Sequence, residues 1–372
     1  QGIADGRDLY GLVYPIADLR FLYPPFAAPG FLPLLWFETD TATVAWLWVT
    51  LALLARSCHL LGRALSRSVR WPLGPVEGGA VLMVLACVSE PVIEHLGFGQ
   101  ISVLLMWLVL EGLLAAGPRG RRGALVGVAA GIKLTPAVFI VMLALVGRGR
   151  TARWAIAGAA ATALVGFAIL PQDSWAYWTG VAYDHGRAGT EFVANQSLTG
   201  TLDRMFGPDV STLWLRVASA AAIVAGLAIG RRLWHQGLQL GALAAVVVAT
   251  LLASPISWTH HWVWVVVVAA GLIEVAALRW RPAVALLALT AWLFASDVIW
   301  QVPYEDGREF DHRSLELVQA NAYVLYGLLL LATLAWVAWG SRRPTAPMGE
   351  PTDGQAERVG DHDRPGALSA SV

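Results

Sequence analysis

Charge is scarce in this 372-residue chain: Asp, Glu, Lys and Arg make up 14% of it, and the two signs balance at 26 residues each. A soluble domain carries nearer a quarter, so a self-standing globular enzyme is excluded. With no net charge, the composition also offers nothing to a nucleic acid. Cysteine is nearly missing. Cys58 and Cys87 both lie in apolar runs, which reads as small packing residues rather than a disulfide. Lysine is rarer still, Lys133 being the only one among the 26 basic residues. No P-loop, Gly-x-Ser-x-Gly, Cys-x-x-Cys or His-Glu-x-x-His pattern occurs, so nucleotide hydrolysis, serine hydrolysis and zinc proteolysis lose their usual markers. No ligand cluster argues for a metal, and no cofactor is expected.

Hydrophobic residues fill the space left by charge: they are 57% of the chain, with 18 Trp. Apolar runs at 42–63, 76–90, 100–116, 151–170, 211–233, 238–255, 258–278, 282–300 and 321–340 approach the length that crosses ~30 Å of hydrocarbon. Two further runs, 123–132 and 136–147, are broken at Gly131 and Pro136. Each is too short to cross at about 1.5 Å per residue, so the pair reads as a re-entrant hairpin. Its two ends then share one side, and Arg63, Arg67, Arg70, Arg119, Arg121, Arg122, Arg148, Arg150, Arg153, Arg231, Arg232, Arg279, Arg281, Arg342 and Arg343 all face the cytoplasm by the positive-inside rule. The chain is thus expected to be an all-α polytopic membrane protein of about nine spans plus a hairpin, one membrane-embedded domain over 1–340. The Pro-, Gly- and Asp-rich stretch 341–372 is expected to be a disordered cytoplasmic tail. The polar start at Gln1 suggests that an N-terminal helix precedes it.

Polar residues where they are expensive mark candidate function. Ser254–Trp264, Ser-Pro-Ile-Ser-Trp-Thr-His-His-Trp-Val-Trp, separates two apolar runs and suits a turn at headgroup level. His260 and His261 would point about 100° apart on a helix and so rarely share a metal. The turn is either an aromatic anchor or the rim of an active site. Lys133 stands at the break of the hairpin, as a phosphate contact offered by two half-helices or as a snorkelling side chain. Glu90, Glu94 and His95 precede Gln100, which opens a span at its outer end. The rigid aromatic piece Phe21–Phe26 walls a lipid groove or docks a loop. In the long outer loop, Asn195 and Gln196 carry paired donors and acceptors that suit sugar hydroxyls, with Tyr183-Asp184-His185 upstream.

Together these pieces resemble the polyprenol-phosphate-mannose-dependent α-(1→2) mannosyltransferases of actinobacteria, C-type integral-membrane glycosyltransferases. The matching elements are Gly6-Arg-Asp-Leu-Tyr10, Tyr23-Pro-Pro-Phe26, Gly99-Gln100, Ile132-Lys-Leu-Thr-Pro136, Asn195-Gln-Ser-Leu198 and Ser254-Pro-Ile-Ser-Trp-Thr-His-His261. The resemblance implies the C-type fold. It also implies transfer of mannose, with inversion, from a polyprenyl-phosphate donor to a hydroxyl of a glycolipid or lipoglycan acceptor, among membrane lipids at the outer face of the plasma membrane. Such a displacement needs a base on the acceptor and stabilisation of the departing phosphate. In the family the candidate base lies upstream of the Gly6–Tyr10 match, and Asp8 is the nearest candidate in this chain. His260 and His261 are expected to assist proton transfer or hold phosphate. Lys133 and Gln100 are expected on the donor phosphate, Asn195 and Gln196 on hydroxyls, and Tyr23 in the lipid groove. A transferase for another polyprenyl-phosphate sugar such as arabinofuranose, or a lipid or solute transporter, remains the alternative.

Overall fold

In hydrocarbon a backbone satisfies its polar groups only inside a helix or a closed barrel, and the Ala-, Leu- and Val-rich runs of this chain adopt helices. The computed structural model describes residues 8–12, 20–69, 72–115, 119–183, 189–207, 210–277 and 281–340. The expected tail, Gly6, Arg7, Arg70, Asp184, His185 and Arg279 lie outside the described residues. Among those described, the only β-like pairing is an isolated bridge between Asn195 and Trp258.

The helices are α1 (Thr39–Ser68), α2 (Pro75–Cys87), α3 (Glu90–Gly97), α4 (Ser102–Leu114), α5 (Arg119–Ile132), α6 (Ala137–Leu145), α7 (Gly149–Ile169), α8 (Pro171–Thr179), α9 (Leu198–Phe206), α10 (Thr212–His235), α11 (Gln239–Ala253), α12 (Val265–Ala276), α13 (Arg281–Leu293), α14 (Ser314–Ala320) and α15 (Ala322–Gly340). The polytopic all-α class is confirmed. Helices α1, α7, α10, α15 and the segment Thr259–Ala276 are long and apolar enough to cross a membrane, and α2 with α3, bent by 74°, would make a sixth. Helices α4, α11 and α13 hold 13 to 15 residues and stop at about 20 Å, so fewer elements pass on length than the apolar runs suggested. Between α2 and α4, residues Glu90–Gly97 form α3.

Burial sorts the helices. In the Thr259–Ala276 segment 94% of the hydrophobic window is enclosed, against 22% for α10, so α12 is the axis of the bundle and α10 faces outward. Helix α11 is buried along almost its whole length beside it. Glu274, wholly enclosed on α12, accepts a hydrogen bond from Gly241 N at 2.8 Å. Its carboxylate thereby caps the first turn of α11, where backbone N–H groups lack partners and the helix dipole favours an anion. Cys58 is buried as expected, but Cys87 is exposed on α2, and both are free thiols.

The expected hairpin is α5 and α6, of 14 and 9 residues. Small residues fasten it to α7. A side chain at Gly123, Gly127 or Gly131 would strike Thr151, Ala155 or Thr162, and one at Gly158 would strike Ala124. Two helices approach backbone to backbone along such a stripe, as small residues allow in membranes. Lys133 follows directly, its N–H bonded to Ala129 O at 3.0 Å.

Candidate active site

Pro255 ends α11, and the chain turns through Thr259–Trp264, a 3-10 segment, before α12 begins. Two loops brace this turn. Asn195 donates from Nδ2 to Thr190 O (2.7 Å) and Pro255 O (3.0 Å) and accepts Ser257 N–H on Oδ1 (2.8 Å). Gln196 donates from Nε2 to Val193 O and Ala320 O and accepts Tyr323 N–H on Oε1. Both are wholly buried, and every donor and acceptor of the two amides is engaged within the protein. The expectation that they meet sugar hydroxyls is corrected on that ground. They serve as cross-links that orient the histidine turn.

Arg204 completes the brace. It is 3% exposed and donates to Glu191 O, Phe192 O, Asn195 O and Asn321 Oδ1. Burial lowers its pKa to about 10.

The functional cluster stands on the other side of the turn. His261 receives Trp258 N–H on Nδ1 at 3.1 Å, and its Nε2 lies 3.0 Å from Lys133 Nζ. The Tyr23 ring centroid is 5.4 Å from that amine, and the Tyr23 hydroxyl donates to Gln100 Oε1 at 3.3 Å. His260 packs edge-on against His261 (4.7 Å between centroids) and Phe98 (5.4 Å), with its Nε2 unpartnered and buried. Lys133, His261, Tyr23 and Gln100, drawn from four separate motifs, are therefore in one contact set. Lys133 is half-buried, and loss of hydration lowers its pKa from near 10.5 to about 7. Lys133 and His261 line a small recess together with Leu105, Phe139, Leu251 and Trp264 and the hydroxyls of Thr135 and Ser254.

Asp8 is exposed and lies apart from this set. It accepts Tyr10 N–H at 3.0 Å, and its neighbour Asp173 on α8 accepts Leu9 N–H at 3.0 Å. Burial, then the proximity of Asp8, raise the pKa of Asp173. Tyr10 donates to Tyr23 O at 2.8 Å, which ties this acidic knot to the lysine cluster at second hand.

A third group lies on α3. Thr259 donates to Glu94 Oε2, while Glu90 receives Trp300 Nε1–H (2.9 Å) and Tyr323 O–H (2.6 Å). Among the described residues no three His, Cys, Asp or Glu side chains converge as metal ligands.

The family model for glycosyltransferase family 87 matches residues 21–255, a span that contains Tyr23, Gln100, Lys133, Asn195 and Gln196. The chain belongs to that family. This family-87 glycosyltransferase is similar to a polyprenol-phosphate-mannose-dependent alpha-(1-2)-phosphatidylinositol pentamannoside mannosyltransferase of Mycobacterium tuberculosis, 34% identical, with 90% of this chain and 78% of the relative covered. A phosphatidylinositol mannoside mannosyltransferase of the same organism is 34% identical over 74% of this chain and 68% of its own. A pentamannoside mannosyltransferase of Mycolicibacterium smegmatis is 32% identical over 92% and 84%. No solved structure matches.

Sequence reasoning missed Arg204 as the hub that joins residues 191–195 to Asn321 in this glycosyltransferase. Its partners are mainly carbonyls, which leave no mark in a side-chain pattern, and Asn321, 117 residues away. The signal that could have found it is a single arginine flanked by Asp203 in an otherwise uncharged amphipathic helix.

Proposed function

We propose that this glycosyltransferase moves mannose, with inversion, from a polyprenyl-phosphate donor to a hydroxyl of a phosphatidylinositol mannoside or a related lipoglycan, at the extracytoplasmic face of the plasma membrane. The observation that carries the reading is the chain's single lysine paired with a histidine in a recess lined by apolar and hydroxyl-bearing side chains. A phosphate flanked by a prenyl chain and a hexose fits that shape: the phosphate sits at Lys133 and His261, and the mannose stays outside against the outer loops. The relatives' substrates, the outward placement of the loops by the positive-inside rule and the absence, among the described residues, of any carboxylate on Lys133 support it.

In this scheme Lys133 and His261 hold the phosphate as the sugar C–O bond breaks and a second negative charge develops on the leaving oxygen, where preorganised donors contribute most. Tyr23 and Gln100 fix the lysine from above. The apolar cleft of about 100 Å³ between Pro24–Phe26 and the α5–α7 pair takes part of the prenyl chain. Asp8, with Asp173 beside it, is the candidate acceptor for the proton of the attacking hydroxyl.

The test is transfer itself. Membranes carrying the protein are incubated with radiolabelled polyprenyl-phosphate mannose and a phosphatidylinositol mannoside. A longer, α-mannosidase-sensitive glycolipid is the expected product. Donor binding without product, across several acceptors, would favour a binding or transport protein. Neither binding nor product would overturn the donor assignment.

A further inference from the structure

Heavy-atom positions at the Lys133–His261 contact dictate where the protons are. The Trp258 backbone N–H donates to His261 Nδ1, and a backbone amide can only donate. Nδ1 therefore carries a lone pair, and the neutral ring holds its hydrogen on Nε2. An imidazolium is excluded, since it would present a hydrogen to the amide. Nε2–H faces Lys133 Nζ at 3.0 Å. An ammonium has three hydrogens and no lone pair, so against it Nε2–H would be one donor pointed at another. The contact is a hydrogen bond in one state alone, with Nε2–H donating to a neutral amine.

The Ile256 carbonyl beside the His261 ring favours a hydrogen on that ring, and the tautomer with Nε2–H carries one. The titratable or charged groups facing Lys133 are His261 and His260 from the histidine turn, His95 from α3, and the Tyr23 ring from the segment before α1. Gln100, on the Tyr23 hydroxyl, and Thr135 are neutral. Among the described residues no carboxylate pairs with Lys133: Glu94 is bound to Thr259 and Glu90 to Trp300 and Tyr323. The ring of Tyr23 accepts an N–H from either form and favours the cation. Lost hydration is the cause that lowers the lysine's affinity for a proton.

We propose that the free site holds Lys133 as an uncharged amine bonded to His261, and that the donor's phosphodiester enters together with one proton taken from solvent. The inference rests on the reading that this phosphate docks at Lys133. The proton goes to Nζ and consumes its lone pair. The His261 contact then breaks, and Nε2–H is released to turn to the same phosphate. One anionic charge arrives, one cationic charge is made, and the site stays neutral throughout. A donor and an acceptor closed on each other in the empty site become two donors aimed at one ligand. The ammonium is then in place before the sugar leaves, where the second negative charge forms. An arginine, always charged, could hold phosphate here but could not form the resting bond.

The proposal makes donor affinity depend on pH in a stated sense. Below about pH 7 the lysine is already protonated and binding takes up nothing. Above it, each pH unit weakens apparent affinity about tenfold, with uptake rising toward one proton per ligand.

Because the chain has one lysine, incorporation of lysine labelled with nitrogen-15 at Nζ gives a single side-chain signal. The experiment uses the whole protein in detergent at pH 8.5, with a short-chain isoprenyl phosphodiester of mannose as probe, whose phosphate does not titrate there. The expected signal is that of an amine in the free protein and of an ammonium with probe bound. Calorimetry in two buffers of different ionisation enthalpy should show close to one proton taken up, and none in K133R. An ammonium signal in the free protein, or binding without proton uptake, would overturn the inference and leave the donor reading intact. No binding of the probe at any pH would overturn both.

Discussion

Arg204 and Lys133 are both basic side chains withdrawn from water near the histidine turn, and they are handled in opposite ways. Arg204 spends its guanidinium on three backbone carbonyls and Asn321. It has nothing left for a ligand. Lys133 has an imidazole, the face of a ring and an open recess. The same contrast separates Asn195 and Gln196, whose amides are saturated, from His260, whose Nε2 has no partner. A buried polar residue with every bond made is architecture, because nothing can be added without breaking something. One with a bond unmade is kept at a cost, and the cost points to a ligand.

The contrast can be broken most decisively at the lysine. Lys133→Ala and His261→Ala should each lower transfer by about 10²- to 10³-fold or more, as loss of a preorganised phosphate donor does, while the protein stays folded in detergent. Full activity in both would return the cluster to architecture. The converse test is Arg204→Met, which strands carbonyls that the guanidinium satisfied. It should destabilise the protein by about 3–5 kcal/mol, and any folded fraction should turn over at near the normal rate. Gln196→Ala should do the same on a smaller scale, about 2–3 kcal/mol, read by chemical denaturation in micelles. The finest effect is on pH. The folded-state pKa of Lys133 is depressed to about 7, so between that pH and the ordinary lysine range the unfolded chain binds more protons. Stability of the ligand-free protein should therefore rise with pH across that window, and Lys133→Met should flatten the slope. An unchanged slope would show that Lys133 is charged throughout.

The helical class and the hairpin were legible because both follow from counting: apolar runs near bilayer length, and two runs that fall short of it. Lys133, His261, Tyr23 and Gln100 were legible one at a time, as polar residues in apolar or rigid settings, and the structure joins them. The roles of Asn195 and Gln196 were not legible, since an amide that suits a sugar hydroxyl suits a loop carbonyl equally well, and sequence does not show which carbonyls are left over. Likewise, hydropathy registered 258–278 as one apolar stretch, whereas Pro255 and the braced turn give Thr259–Trp264 a tighter 3-10 path, with His261 against Lys133 and His260 against Phe98.

The glycine stripe between α5 and α7 carries a consequence for the enzyme's tolerance of its surroundings. With backbone against backbone and no long side chains between, that interface has no rotamers through which to yield, so the lysine is carried on a stiff strut. The tip of the strut is latched to the histidine turn through Lys133 and His261. When acyl chains lengthen or the temperature drops, the long outer helices can lean to follow the changing thickness, yet the gap between Lys133 and His261 is set by neither. An enzyme built this way keeps its geometry as its host remodels the membrane around it, and turnover in vesicles of short and long acyl chains should differ little.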